Sequence, residues 1–129
     1  MAARKSILVV SYDREYHDLF ATALSLVGYD VLRTTDGDEA LAIVLSRKPR
    51  LVILQYPVKV GNATLTATIR ALPDVARTRI LNITPRNVPE TLAQAELEGV
   101  DANLIMPVPT GRLIAEVKSL IGDPVDGRG

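Results

Sequence analysis

Short, mainly apolar runs alternate with longer amphipathic segments along most of this chain. Residues 7–10 and 51–54 are unbroken runs of valine, isoleucine and leucine, which are typical of strands buried on both faces of a sheet. Further runs at 31–32, 80–84 and 102–106 predict three more strands.

The segments between the strands have apolar residues at helical spacing and signals for helix ends. Gly28 ends the first of them, and Asp36 with Glu39 forms a capping-box pattern at the start of the second. Asn62 is the predicted cap of the third helix. A fourth helix is predicted over Pro89–Glu98, and a fifth from about residue 110. The predicted apolar faces of the first two helices consist of Leu19, Phe20, Ala23, Leu24 and Val27, and of Ala40, Leu41, Val44 and Leu45.

Five strand–helix pairs in regular alternation predict an α/β fold. We expect a flavodoxin-like, doubly wound, five-stranded parallel sheet of order 2-1-3-4-5 with helices on both faces. The domain should cover residues 5–121, with a disordered tail at 122–129. Functional residues gather at the carboxyl ends of strands in such sheets, which directs attention to residues 11–13, 55–61, 84–87 and 106–109.

The amino-acid composition argues against several kinds of binding partner and site. Fifteen basic and fifteen acidic residues balance, so there is no electrostatic footprint for nucleic acid or an anionic membrane. The absence of cysteine excludes disulfides, thiolate metal sites and cysteine nucleophiles. The one histidine, His17, is expected to be a solvent-exposed helix residue. No apolar run is long enough to span a bilayer and no signal-peptide pattern is present, so we expect a cytoplasmic protein without a membrane partner.

Six segments, each a weak signal alone, together resemble one protein family. They are residues 7–10 with the polar cluster that follows, 28–31 (Gly-Tyr-Asp-Val), 36–41 (Asp-Gly-Asp-Glu-Ala-Leu), 49–54 (Pro-Arg-Leu-Val-Ile-Leu), 99–101 (Gly-Val-Asp) and Pro107. In this order and spacing, they resemble the CheY-like receiver domains of response regulators over residues 5–121. The resemblance implies a stand-alone signalling domain of two-component or phosphorelay type, not an enzyme.

The resemblance fails at the residues that carry receiver chemistry. An active receiver has two acids that hold Mg²⁺, a phospho-acceptor Asp, a Thr or Ser, and a Lys just before the Pro that follows the fifth strand. The matching positions hold Ser11 and Tyr12, Gln55, Thr84, and Met106 before Pro107, so only Thr84 fits among the five polar residues. A glutamine amide forms no acyl phosphate, and Asp13, one residue further on, is interpreted as a helix cap. The pattern predicts a degenerate pseudo-receiver pocket with no catalytic residue, metal or cofactor.

Three further features depart from the family, two in loops and one in the last strand. Pro57 stands two residues after Gln55, whereas receivers place it four residues after the acceptor, so this loop looks two residues short. Pro85 follows Thr84 and should stiffen the loop that normally moves. Asn103 stands where receivers often have an aromatic switch residue, and the family implies a cis bond between Met106 and Pro107.

Two functions remain open. The first is a pseudo-receiver that binds a signalling protein, or a second copy of itself as a homodimer, through the face of the last two helices and the strand between them. The candidate contacts on this face are Glu90, Gln94, Glu98, Asn103, Arg112 and Glu116. The second is a sensor that binds an uncharged small molecule in the neutral pocket, for which an open cavity would be the favourable sign. The sequence has no glycine-rich phosphate loop, no nucleophile elbow and no paired acids at strand ends, so we expect no enzymatic activity.

Overall fold

A computed structural model describes residues 3–11, 13–55, 57–84 and 89–125. Its strands are β1 (Ser6–Val10), β2 (Asp30–Thr34), β3 (Leu51–Leu54), β4 (Lys59–Val60), β5 (Ala63–Thr64), β6 (Arg79–Thr84) and β7 (Ala102–Ile105). Five of them form a parallel sheet of order β2-β1-β3-β6-β7, and β4 pairs with β5 in a separate hairpin. This is the predicted doubly wound order.

Five helices cover the two faces of the sheet. They are α1 (Arg14–Val27), α2 (Gly37–Arg47), α3 (Leu65–Ala71), α4 (Pro89–Glu98) and α5 (Thr110–Ile121). Side chains of α1 and α5 pack on one face of the sheet, and those of α2 and α3 pack on the other, while α4 lies against α3 and β6. Strand side chains alternate between the two layers: Ile7 and Val9 belong to the first, Leu8 and Val10 to the second.

Most helix ends follow the sequence signals. The Asp13 carboxylate accepts hydrogen bonds from the backbone of Glu15 and Tyr16, and Asp36 accepts one from Glu39. Gly28 ends α1 with φ of 120°, a conformation that side chains disfavour. Leu19 and Leu45, which were predicted on apolar helix faces, are instead 45% and 43% exposed.

The prediction that Asn62 caps α3 is wrong. The cap is Thr64, whose hydroxyl accepts from the backbone N–H of Ala67 at 3.1 Å. Asn62 instead follows Gly61 in the turn of the β4–β5 hairpin. The hairpin lies very close to α2, since a Cβ added to Gly37 would stand 1.9 Å from the carbonyl oxygen of Lys59.

The expectation that His17 is exposed is also wrong. Its side chain is buried, together with Phe20, Ala21 and Leu24 on the inner face of α1. Burial, chiefly, and the nearby Arg33 cation lower the pKa of His17, while Asp18 and a hydrogen bond at the Val9 backbone act in the opposite direction.

The two ends of the described chain lie against each other. The backbone N–H of Lys5 donates to the Pro124 carbonyl at 2.8 Å, and the Tyr29 hydroxyl donates to the Gly122 carbonyl at 2.5 Å. Residues 122–125 of the predicted disordered tail are thus placed beside the start of the domain, and residues 126–129 lie outside the described part of the chain.

Candidate functional site

The carboxyl ends of three strands, β1, β3 and β7, meet in one cleft. Ser11 follows β1, Gln55 follows β3 and Met106 follows β7, and all three line the cleft, with Tyr16 and Phe20 of α1 closing one side. The rest of the lining is aliphatic: Val9, Val10, Ile53, Leu54 and Ile83. The space left is about 10 Å³, enough for a single water molecule.

The cleft carries no charged side chain among its described lining residues. The Ser11 hydroxyl accepts from the backbone N–H of Asp13 at 3.1 Å, and the Asp13 carboxylate is directed to the first turn of α1. Across the described ranges, no cluster of three or more His, Asp or Glu side chains could hold a metal ion. Since Mg²⁺ requires several hard oxygen ligands in octahedral geometry, these residues do not fit the ion that active receivers bind.

Thr84 does not contribute its hydroxyl to the cleft. Ile83 packs in the core layer of α1 and α5, so its neighbour Thr84 points to the opposite face of the sheet, where it is fully buried. Its Oγ1 accepts from the side-chain amide of Asn82 at 2.9 Å, and the same amide donates to Asn103 Oδ1 at 2.9 Å. Asn82 and Asn103 are paired neighbours on β6 and β7.

This Asn82 link escaped the sequence analysis. A single amide in the apolar run of β6 was the available signal, because a fully buried amide needs partners for its two N–H groups. Through these two hydrogen bonds, Asn82 connects Thr84 with Asn103, the residue at the position where receivers often have an aromatic side chain. The Thr84 hydroxyl is thereby bonded within the sheet.

The remaining predicted pocket residues are placed as follows. The backbone N–H of Met106 donates to the Thr84 carbonyl at 2.8 Å, and its side chain packs against the apolar core shared with α1 and α5. The bond to Pro107 is cis, as the resemblance implies. Pro57 is exposed and leads into the β4–β5 hairpin. The expectations for Tyr12 and Pro85 fall outside the described residues.

The predicted partner residues lie on α4, β7 and α5, a surface that we call the α4–β7–α5 face. Several of their side chains are engaged within the molecule: Glu98 accepts from Thr64 at 2.7 Å, and Arg112 pairs with Glu116 at 3.2 Å. Sequence reasoning missed two apolar side chains on this face, Leu97 (82% exposed) and Ile105 (45% exposed).

Comparisons with known proteins agree with this fold. No family model matches the chain. It is 30% identical over 120 residues to the probable transcriptional regulator ycf27 of Cyanophora paradoxa, covering 92% of this chain and 48% of that protein. It is 24% identical over 121 residues to the polar-differentiation response regulator DivK of Brucella anthropi, covering 92% and 98%. The chain thus spans about half the length of the first relatives it matches and nearly all of DivK.

A solved structure gives the same result. The receiver domain of NtrX from Brucella abortus superposes with a TM-score of 0.79 at 27% identity, covering 89% of this chain and 97% of that domain. The homologues and structural neighbours of the chain are receiver domains and the response regulators that carry them. None of the helices in the described ranges is long and apolar enough to cross a membrane.

Proposed function

We propose that this receiver-fold chain is a pseudo-receiver, which lacks the phospho-acceptor and acts in two-component signalling by binding a partner protein. The observation that carries the proposal is the composition of the cleft. Ser11, Gln55 and Met106 converge there, the described lining residues include no carboxylate or ammonium group, and almost no space is left between them. The described part of the cleft therefore offers neither a carboxylate to accept a phosphoryl group nor the set of anionic oxygen ligands that Mg²⁺ needs.

The family's acidic positions and its Lys position are all occupied by uncharged residues in this chain, which supports a stable neutral site. An ammonium group left without its acidic partners in a partly buried site would be destabilising by up to about 3–5 kcal/mol. Met106 stands at the Lys position, and its flexible apolar side chain packs against the core instead. The Asn82 amide also engages the hydroxyl of Thr84, the one residue that matches the family pattern.

The size of the cleft disfavours the small-molecule sensor. Sites for small organic ligands enclose about 300–1,000 Å³. The cleft has about 10 Å³, so an uncharged organic ligand would have to displace Met106 or Phe20 to enter.

The α4–β7–α5 face is the surface we assign to the partner protein. Leu97 of α4 and Ile105 of β7 are exposed apolar side chains, and the polar Gln94 and Asn103 are on the same two elements. Apolar side chains bordered by polar groups are typical of protein-binding surfaces. Arg112 and Glu116 pair with each other. We therefore assign the principal contacts with the partner to the apolar side chains.

The absence of phosphorylation chemistry is tested by an amide NMR titration with Mg²⁺ and beryllofluoride, a phosphoryl mimic. We expect the signals of Gln55, Thr84 and Asn103 to stay in place up to millimolar Mg²⁺, because the described lining residues of the cleft include no anionic ligand. Saturable shifts at these three residues would contradict the proposal and show that another acid has rebuilt the site.

Partner binding is tested by substitution on the α4–β7–α5 face. Leu97→Asp should abolish the capture of proteins that the wild-type chain retains from an extract of its source cells, because a carboxylate replaces an exposed apolar contact. Leu26→Asp is the matched control, since Leu26 is 83% exposed on α1, away from this face. Equal capture by Leu97→Asp and Leu26→Asp would rule out the assigned surface.

A further inference from the structure

The one histidine of the chain is buried in the first turn of α1. His17 is 6% exposed and lies on the same helix face as Phe20 and Leu24, which packs against β1 and β2. Its Nε2 atom has no hydrogen-bond partner among the described residues. A buried ring nitrogen of this kind is rare in folded proteins, and its consequence depends on the charge of the ring.

The charged groups around His17 come from α1 and from β2. Arg14 and Asp18 flank it on the helix, and Arg33 faces it from β2, while β1 contributes no charged residue. The two nearby carboxylates are engaged elsewhere, Asp18 with Arg33 and Asp13 with backbone N–H groups at the start of α1. The start of a helix also carries partial positive charge. These surroundings accommodate a neutral ring better than a cationic one.

Protonation would place a charge and an unpaired N–H group inside the fold. The imidazolium ion carries a proton on both nitrogens, so its Nε2–H would be buried without an acceptor whichever tautomer the neutral ring has. Burial, foremost, and the Arg33 cation accordingly lower the pKa of His17, against the opposite effects of Asp18 and the Val9 backbone. The unfolded or opened chain then takes up the proton at a higher pH than the folded chain, so acid favours states in which the ring is solvated.

We infer that His17 is an acid-sensitive switch, whose protonation in mildly acidic solution releases the first turn of α1 from β2 so that the ring reaches water. The release is local because the end of a helix opens at a lower free energy than its middle. The pair of Arg33 and Asp18 is exposed on both sides and contributes little to holding the turn in place. Tyr16 belongs to this turn and closes one side of the cleft, so acid also uncovers the cleft.

The test follows His17 by NMR while the pH is lowered at constant ionic strength. We expect its ring signals to titrate with a midpoint below 6.5, the ordinary value for histidine. After correction for the intrinsic exchange rate, the amides of residues 16–18 should exchange several-fold to about tenfold faster at about pH 5.5 than at about pH 7.5, because the linkage is at most tenfold per pH unit. The amide of Val117, in the middle of α5, should show no such change.

Two variants separate the switch from a general effect of acid. His17→Phe keeps an uncharged ring in the buried position and should abolish the difference in exchange between the two pH values. Asp18→Asn removes the carboxylate that favours the charged ring, so the His17 midpoint should move to a lower pH. A wild-type midpoint at or above 6.5, which needs no variant to fold, would overturn the switch. Equal exchange at both pH values, or faster exchange that persists in His17→Phe, would also overturn it.

Discussion

Restoring four charges at the carboxyl edge of the sheet is expected to create Mg²⁺ binding. The combined variant Ser11→Asp, Tyr12→Asp, Gln55→Asp and Met106→Lys should bind Mg²⁺ at millimolar concentration and then accept beryllofluoride. Three of these positions already line a common cleft, so new carboxylates at Ser11 and Gln55 would converge on one point with the new ammonium group beside them. The amide signals around Gln55 should shift and saturate in the variant.

Gln55→Asp alone is the control for this variant. A single carboxylate is a poor Mg²⁺ site, so this variant should remain silent up to the same concentration. If the combined variant folds and also fails to respond, the missing charges are not what prevents Mg²⁺ binding. The short loop leading to Pro57 would then be the cause, and the charge-based account of the site would be wrong.

Arg70→Met is expected to lower the free energy of unfolding by about 2–4 kcal/mol, because it removes several charge-assisted hydrogen bonds at once. The Arg70 guanidinium donates to the carbonyls of Gly99 at 2.9 Å, Ala76 at 2.9 Å and Thr78 at 2.6 Å, and to the Asp101 carboxylate at 2.8 Å. Its side chain is only 23% exposed, so these partners would be left poorly solvated. Urea unfolding monitored by circular dichroism gives the loss directly.

Arg79→Met is the matched control. Arg79 pairs with the same Asp101 carboxylate at 3.2 Å, but its side chain is 56% exposed and it makes one such bond. An exposed pair of this kind contributes at most about 1 kcal/mol. Similar losses in both variants would show that the Arg70 carbonyl contacts add little to stability.

The sheet could be predicted from the sequence because each central strand is buried on both faces. Strands in this position require apolar runs, and the unbroken runs of β1 and β3 therefore stand out from the amphipathic helices. The edge strands β2 and β7 are only partly buried, and their runs are shorter or interrupted. Helix caps were harder to assign. Asn62 and Thr64 are both residue types that cap helices. The choice of Thr64 depends on the β4–β5 hairpin, whose two-residue strands are too short to show a hydrophobic pattern in the sequence.

The candidate site could be predicted only in part. Parallel strands place Ser11, Gln55 and Met106 at one edge, but the face to which each side chain points depends on register, which directs Thr84 away from the cleft. His17 was misplaced because its neighbours in sequence are polar. Its spacing of three and seven residues from Phe20 and Leu24, which gives it their buried face, was the better guide.

The contact between the two ends of the described chain has a consequence for engineering. Lys5 and Pro124 are joined by a backbone hydrogen bond beside the start of β1, whereas the cleft lies at the opposite edge of the sheet. Adjacent ends at the surface are the geometry that tolerates circular permutation and insertion into a host loop. The domain can therefore be tethered to another protein through that edge, with the cleft and the α4–β7–α5 face left uncovered.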